Sequence, residues 1–522
     1  MSSDDAKNIL WLVTGSIVFA LLILPLVRYC KKPDWIIKII DGVDSKQIVR
    51  KIVRKIEWLR TFYAWIGALA ILGGTWAFFL PIAIESGFNK DDDGPVLRQL
   101  LIYTVGGLLG VITLGETHRK NNHEKDKNDQ DHTRQVHAER RSRYTKAIEH
   151  LFNENISIRL GGVYTLAGLA DEWLSDEKTL RNEKERRKET QNIINNLCTY
   201  IHSPFPLAEH AEQLDKPYAK DLQKDFDGDK EKFDADKRTF AQEKAALEEE
   251  RQVRQSIIKA IRERLQDFGA PGPWSNFDYD FSNALFFYDT DFRNSYFDAL
   301  SKFTGAKFTK KVGLLGTNFT ERAPFSGATF AEGAKFIEAN FTERAPFSGA
   351  TFTQGGLFSY ATFEQDADFS GATFTQQFAN FEKATFEQDA DFSGATFTQG
   401  ALFSEATFTQ GANFSKATFK QNADRREADF SGATFTQGVN FSKASFWTKP
   451  IFNDEPYTAR FSNKVKLKSY NFQVSHSSPY KIDTDDHRSP DGTITTIPKG
   501  CIVFDSKTGE EIPHTPAPNG SA

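Results

Sequence analysis

The chain has 522 residues, a formal net charge of -5 and 47 phenylalanines against a single methionine. That length predicts several domains, and so small a net charge indicates neither a nucleic-acid binder nor a strongly acidic protein. The phenylalanine excess is typical of a repeated structural unit. Because Cys30, Cys198 and Cys501 form no CxxC pair, neither a disulfide framework nor a cysteine zinc site is indicated, and a reducing compartment fits best.

Three uncharged, apolar runs occupy the N-terminal part of the chain, at about residues 9–27, 61–84 and 99–115. The first two are long enough to cross roughly 30 Å of hydrocarbon, and the third is shorter. A cleaved signal peptide is the alternative for the first run, but its leader carries Asp4 and Asp5 and no small-residue cleavage site follows. The sequence therefore predicts a membrane domain of α-helices over residues 1–116.

Charged residues around these runs predict the orientation. Lysine and arginine dominate residues 28–60, whereas acids dominate residues 85–98. Basic loops remain on the cytoplasmic side, so we expect a multi-pass protein of the inner (plasma) membrane. Its N-terminus lies outside and everything after about residue 116 lies in the cytoplasm. Residues 46–60 have one apolar face among basic side chains and are expected to lie on the lipid bilayer, or alternatively to pack on the other helices.

A helical linker is predicted over residues 117–215. Residues 117–141 are almost wholly polar and favour a solvated helix, although four histidines leave a metal site as an alternative. Beyond residue 143 the apolar spacing predicts two amphipathic helices joined at residues 153–155, and a third that ends near Pro204. The segments RYTKAIEHLFNENISIRLGGVYTLAGLADEW and IINNLCTYIHSPF resemble the linker of bacterial membrane-anchored pentapeptide-repeat proteins. The resemblance implies a membrane hairpin, this linker and then repeats; here a first span and a charged insertion are added.

That insertion, residues 217–255, is rich in lysine and glutamate and places Phe226, Phe233, Phe240 and Leu247 seven residues apart. One apolar residue per heptad is too narrow for a coiled coil, so we expect a single long helix that rests on another element. An amphipathic helix at residues 255–267 is expected to cap whatever follows. Residues 216–274 are thus predicted as a charged long helix and N-terminal cap.

From residue 281 onward, phenylalanines recur in steps that alternate between five and six. The series makes one seven-residue step from Phe374 to Phe381, passes Arg425 in one slot and ends at Phe452. NFTERAPFSGATF recurs after 22 residues, at 318–330 and 340–352, which predicts one coil of four faces. The spacing predicts buried rings, including Phe330, Phe341, Phe352, Phe363, Phe374, Phe386, Phe397 and Phe408.

The motif A(D/N/T)F resembles the pentapeptide repeat A(D/N)LXX in a Phe-rich form. The resemblance implies a right-handed quadrilateral β-helix, a pentapeptide-repeat solenoid, over residues 275–453; a three-sided helix is the alternative. Eight coils are expected, or on the order of 38 Å of rod. Residues 454–522 are predicted to cap the far end and to finish in a disordered tail.

One surface feature stands out, a set of acids that recurs after 23 residues and is therefore predicted to form a ladder on adjacent coils, roughly 5 Å apart. Stacked like charges are unfavourable, so the ladder indicates compensation by a cation or a basic partner. The alternative is a hydrated face copied by duplication. The acids are Glu364, Asp366, Asp368, Glu387, Asp389 and Asp391.

No catalytic constellation or cofactor motif is present in the sequence, so an enzyme is not predicted and no cofactor is expected. We expect a membrane-tethered interaction scaffold with an unknown protein partner, no nucleic acid and a possible homo-oligomer. The alternatives are a DNA-mimic regulator of a topoisomerase, as the resemblance allows, or an accessory subunit of a membrane complex. An enzyme or transporter is disfavoured because the apolar runs carry no charges.

Overall fold

The computed structural model describes residues 94–420, 427–464 and 470–515. The chain divides into two compact units, Met1–His137 and Ala138–Ala522. No helix in the described ranges is long and apolar enough to cross a membrane. The third predicted span, residues 99–115, lies in helix α1 (Gly94–Leu151) and is therefore not supported as a span. Residues 9–27, 46–60 and 61–84 lie outside the described residues.

The second unit begins with a helical domain, and its helices start at the residues that can cap them. Asn155 accepts a hydrogen bond from the Ser157 amide at 2.9 Å, which ends the predicted 153–155 break and starts a helix. Asn182 and Asp229 cap two further helices in the same way. The helices after α1 are α2 (Ile156–Ser175), α3 (Glu183–His202), α4 (Ala211–Leu214) and α5 (Lys230–Arg262), with 3-10 turns at Pro206–His210 and Lys220–Phe226.

Close backbone approach joins α2 to the end of α1. A Cβ atom on Gly162 would lie 2.8 Å from the Leu151 amide nitrogen and 2.9 Å from the Ala147 carbonyl oxygen, so only glycine fits there. Around this crossing, the fully buried apolar side chains of α2, α3 and α5 form the core of the domain; they include Leu166, Leu169, Ile194, Leu197, Ile257 and Ile261.

The charged insertion forms α5 together with the 3-10 turn that precedes it. The apolar residues at seven-residue spacing do contact another element, and the contact centres on Tyr218. Its ring lies 5.6 Å from that of Phe233 and 5.2 Å from that of Phe240, and the Phe226 ring lies 6.0 Å from Phe233. These aromatic contacts supply the partner that one apolar residue per heptad could not supply alone.

The repeats form a solenoid of about eight turns, with parallel sheets on four faces, which we number in the order the chain visits them. The three-sided alternative is therefore wrong. Face 1 contains Tyr279–Asp280, Ser301–Lys302, Ala345–Pro346, Ala367–Asp368, Ala390–Asp391, Ala412–Asn413, Val439–Asn440 and Tyr470–Asn471. Face 2 contains Leu285–Phe286, Lys307–Phe308, Thr329–Phe330, Thr351–Phe352, Thr373–Phe374, Thr396–Phe397, Thr418–Phe419 and Ser445–Phe446.

Faces 3 and 4 complete each coil. Face 3 contains Thr290–Asp291, Val312–Gly313, Ala334–Lys335, Gly356–Leu357, Ala379–Asn380, Ala401–Leu402 and Ala428–Asp429. Face 4 contains Tyr296–Phe297, Asn318–Phe319, Asn340–Phe341, Thr362–Phe363, Thr385–Phe386, Thr407–Phe408, Thr434–Phe435, Arg460–Ser462 and Ile502–Phe504. Antiparallel pairs outside the faces are Gln266–Asp267 with Ala270–Pro271, Asn453–Asp454 with Tyr457–Thr458, and Thr484–Arg488 with Ile494–Pro498.

Strand pairing confirms the 22-residue coil, since Asn318 pairs with Asn340. The seven-residue step is absorbed at the corner between faces 2 and 3, where Leu357 pairs with Asn380. Arg425, to which the spacing assigned a slot of the series, lies outside the described residues. Ala401 pairs with Ala428, a shift of 27 residues that exceeds the 22-residue coil by five. The extra residues lie between a face 2 strand and the next face 3 strand, in a segment whose residues 421–426 lie outside the described ranges.

Stacked phenylalanine rings fill the interior of the solenoid. All eight phenylalanines named above as core residues are at most 1% exposed. Rings on successive coils lie nearly parallel: Phe341 and Phe363 are 5.0 Å apart with planes 1° apart, and Phe363 and Phe386 repeat that geometry. Rings from adjacent faces meet edge to face, as Phe363 meets Phe369 at 5.8 Å and 83°. The aromatic core therefore fixes the register of every coil.

Other segments of the chain pack against each end of the solenoid, where sheet edges need cover. At the N-terminal end, the Leu265 carbonyl accepts from the Tyr296 amide at 3.0 Å, directly after α5. The Gln191 side chain of α3 pairs with both backbone groups of Asp278, at 2.8 and 3.0 Å. At the other end, face 4 continues past residue 453 to Ile502–Phe504, so the C-terminal region adds strands as well as a cover.

Candidate interaction surface

In many coils an Asp or Asn precedes the face 1 phenylalanine and closes a turn. Asp368 Oδ1 accepts from the Ser370 amide at 3.0 Å, and Asp391 Oδ1 accepts from the Ser393 amide at 2.8 Å. Asn413 repeats the contact with the Ser415 amide at 3.1 Å. An Asx side chain that bonds the amide two residues ahead stabilises a turn. The recurrence of Asp at this position in successive repeats is thus explained in part by the turn that it stabilises.

The first turn of this kind shows its effect on ionisation. Asp280 accepts from the Ser282 amide at 3.0 Å, and Lys302 lies 3.4 Å away. Burial acts to raise the pKa of Asp280, but the Ser282 hydrogen bonds and the Lys302 charge outweigh it, and the pKa is lowered. The turn therefore favours the ionised carboxylate.

Four of the six predicted ladder acids line one groove of about 450 Å³, at the corner between faces 4 and 1. Asp368 and Asp391 pair in register on face 1, and Asp366 and Asp389 occupy the corner before those strands. The other two acids, Glu364 and Glu387, do not line the groove. Glu364 instead accepts from the Asn340 side chain at 3.1 Å.

Neutral donors satisfy most of the groove carboxylates. Asp389 Oδ1 accepts from the Gly411 amide at 2.9 Å, and Asp391 Oδ1 accepts from the Asn413 side chain at 3.0 Å. Among the side chains that line the groove, the single cation is Arg344, whose Nη2 lies 3.8 Å from Asp368 Oδ2. The groove therefore carries excess negative charge that the groove's own residues do not neutralise.

Metal binding at this groove receives no support. Throughout residues 94–420, 427–464 and 470–515, no group of three or more His, Cys, Asp or Glu side chains is placed to hold a metal ion. The cation hypothesis for the acidic ladder thus stays a prediction. The two described cysteines are unsuited to nucleophilic roles, because burial raises the pKa of both Cys198 and Cys501 to about 12.

Sequence reasoning missed a second surface feature, a charged corner between faces 3 and 4. Glu338, Tyr360, Lys383 and Glu405 occupy equivalent positions with φ between +55° and +58°, where other coils carry Asn294, Gly316 and Gly432. Lys383 Nζ lies 3.5 Å from Glu405 and 5.4 Å above the Tyr360 ring. Hydrogen bonding to Tyr360 and the charge of Glu405 raise the pKa of Lys383. Only alignment of successive coils, with their 23-residue step, would have revealed this column.

Face 2 contrasts with both charged corners. Its outward strand positions form an in-register row of threonines in five consecutive coils: Thr329, Thr351, Thr373, Thr396 and Thr418. A row of neutral β-branched side chains suits a pleated surface. The solenoid therefore presents surfaces of different chemistry on different sides.

A comparison with known protein families finds a match for these repeats. The family described as Pentapeptide repeats (9 copies) matches residues 314–359, 336–385, 354–396, 381–424 and 392–445. The solenoid is built from pentapeptide repeats. The match covers the central coils of the solenoid and leaves the helical domain and both end covers unmatched. Searches of curated proteins and of solved structures found no match to this chain.

Proposed function

We propose that this protein is a membrane-tethered, non-catalytic scaffold whose pentapeptide-repeat solenoid binds a basic segment of a protein partner in the acidic groove. One observation carries the proposal. Beneath the groove, the Phe347, Phe369 and Phe392 rings stack at 4.8 and 5.0 Å. This stacking fixes the coils, so the carboxylates above them hold their positions before a partner binds. A pre-ordered surface loses little entropy on binding.

Charge supports a basic partner. The groove combines four carboxylates with Arg344 alone as a counter-charge. A lysine or arginine side chain placed between the carboxylates relieves their mutual repulsion and gives the contact its specificity. Asp366 and Asp389 are exposed, so salt screens their attraction for a partner. We therefore expect binding that weakens as the ionic strength rises.

Tethering rests on the sequence. Residues 9–27 and 61–84 are uncharged, and each run is long enough to cross a bilayer. The basic excess in residues 28–60 supports a cytoplasmic solenoid. A tethered solenoid suits a partner that also resides at the membrane, including the case of an accessory subunit of a membrane complex. Direct contact with the bilayer and homo-oligomer formation stay predictions.

DNA mimicry is the weaker alternative, because it needs a continuous acidic rod. The described coils instead carry a neutral threonine row on face 2, of which Thr351 and Thr373 are members. The acids of the groove lie on only two of the coils, those of Asp368 and Asp391.

Affinity capture from detergent extracts tests the scaffold proposal. The full-length chain is compared with the double variant Asp366→Asn/Asp389→Asn and with the matched face 2 control Thr351→Ala/Thr373→Ala. We expect the acidic-groove variant, and high salt, to release proteins that carry basic segments, whereas the control retains them. Equal capture by all three chains would contradict the proposed role of the groove.

A further inference from the structure

The last strand of face 1 has an open edge. In earlier coils, the Phe392 amide donates to the Asn413 carbonyl of the next coil at 2.7 Å, and the Gly394 amide donates to Ser415 at 2.8 Å. Phe472 and Val474 occupy the equivalent positions after Tyr470–Asn471. Among the described residues, neither amide donates to a backbone carbonyl. Within the described residues, Tyr470–Asn471 is the last strand of this sheet on that side.

Other faces end differently. On face 2, the Phe446 carbonyl accepts from the Tyr480 amide at 3.1 Å. On face 4, the Val503 carbonyl accepts from the Ile512 amide at 2.8 Å. The chain itself thus covers these two edges, as buried backbone groups require, whereas no described residue pairs with the outer edge of face 1.

A second strand edge lies opposite the first. The Lys499 amide donates to the Asp483 carbonyl and the Ser489 amide to the Thr493 carbonyl, both within the hairpin Thr484–Arg488/Ile494–Pro498. Backbone groups alternate sides along a strand, so the groups of Ile494 and Thr496 point away from their hairpin partner. The outer edge of the other hairpin strand, Thr484–Arg488, already has a backbone partner, because the Arg488 carbonyl accepts from the Thr515 amide at 2.8 Å.

Between these two edges lies a groove of about 630 Å³, lined by 470–473, 493–496, Ile482 and Thr484. No charged side chain is among its lining residues, which combine neutral hydroxyl and amide groups with apolar contributions from Phe472, Ile482 and Ile494. An acidic or basic occupant would lose hydration there without a counter-charge.

We propose that this groove is a β-strand acceptor, in which an extended, uncharged segment of a partner protein adds to face 1 beyond Tyr470–Asn471. The segment's backbone carbonyls accept from the Phe472 and Val474 amides, and apolar side chains at alternate positions pack on Ile482 and Ile494. Strand addition of this kind draws affinity from main-chain hydrogen bonds and specificity from alternate side chains. The site is separate from the acidic groove and does not depend on the function proposed for it.

A peptide taken from the chain's own penultimate face 1 strand tests the proposal. The probe is acetylated and amidated TQGVNFS, the sequence of residues 436–442, with a scrambled peptide of the same composition as the control. It is titrated into the full-length chain in detergent while amide hydrogen exchange is followed. We expect saturable slowing of exchange at 470–474 and 493–496, and none with the scrambled peptide.

Two variants at one position separate the backbone contact from general effects. Val474→Pro removes one of the two edge amides of face 1, whereas Val474→Ala keeps it. We expect at least tenfold weaker peptide binding for Val474→Pro and little change for Val474→Ala. Absence of protection in the unmodified chain, or equal binding by both variants, would overturn the proposal. So would concentration-dependent dimerisation in sedimentation that protects the same amides without peptide, because a second copy would then be the occupant.

Discussion

Replacing a single core ring measures how strongly the aromatic stack holds the solenoid. Phe352 is fully buried, and its ring lies 4.8 Å from Phe330 and 4.7 Å from Phe374, nearly parallel to both. Phe352→Ala removes the ring from a stack that cannot close around the gap, which costs about 3–5 kcal/mol. Phe352→Asp also buries an unpaired carboxyl group, which costs roughly 2–7 kcal/mol more even when it is protonated and neutral, and more still when it is ionised.

Amide hydrogen exchange by mass spectrometry reads out this effect coil by coil. Coils contact only their neighbours, so one global unfolding energy describes the array poorly. We expect faster exchange at Thr351 and in the coils directly above and below it, and little change in distant coils. Thr353→Ala, on the outer surface one residue away, should change stability by less than ~0.5 kcal/mol. Equal sensitivity at Phe352 and Thr353 would refute the register.

Three further predictions address the end cover and the acidic groove. Glu250 is 4% exposed and contacts Arg159, Arg254 and Tyr200. Glu250→Gln should therefore lower the stability measured by thermal unfolding by about 3–5 kcal/mol. The matched control, Glu249→Gln, changes a more exposed side chain and should lower it by less than ~1 kcal/mol. The hydrogen bond from Arg251, aided by Lys310, lowers the pKa of Asp215 to about 2, below its unfolded value of about 3.9. The resulting stabilisation is present above pH ~4 and lost as the pH falls towards 2; Asp215→Asn should flatten that acid dependence of the melting temperature, and the exposed Asp225→Asn should leave it unchanged. Asp366→Asn/Asp389→Asn should raise the melting temperature by removing repulsion between the carboxylates. An unchanged melting temperature, with no response to millimolar calcium before or after mutation, would show that the acidic ladder is only a hydrated surface.

The short repeating period of the sequence predicts which side chains are buried. It does not reveal where extra residues lengthen a coil. The phenylalanine spacing located the buried rings, because each coil must place one large side chain inward on every face. The same spacing concealed the insertion between Ala401 and Ala428, because five extra residues equal the length of one face and leave the count in phase. The interruption between two helices before Asn155 was predictable from local capping chemistry.

Long-range packing decided the features that remained. Tyr218 completes the aromatic contact of α5, and nothing in its local sequence indicates that role. Asp368 and Asp391 pair on adjacent coils, whereas Glu364 lies outside the groove and accepts a hydrogen bond from the Asn340 side chain. Lys383 occupies a left-handed position that the turn between faces imposes, which no single-residue preference predicts.

One titration tests most directly whether the solenoid holds a pre-ordered acidic groove for a basic partner. An acetylated hexalysine peptide is added to the full-length chain in detergent, and protection of amides 366–368 and 389–391 is followed at low and high salt. We expect saturable protection in the unmodified chain, and we expect high salt to abolish it. The variant Asp366→Asn/Asp389→Asn should lose this protection, whereas Thr351→Ala/Thr373→Ala should retain it. Protection spread evenly over the solenoid, or unaffected by the aspartate substitutions, would contradict this expectation.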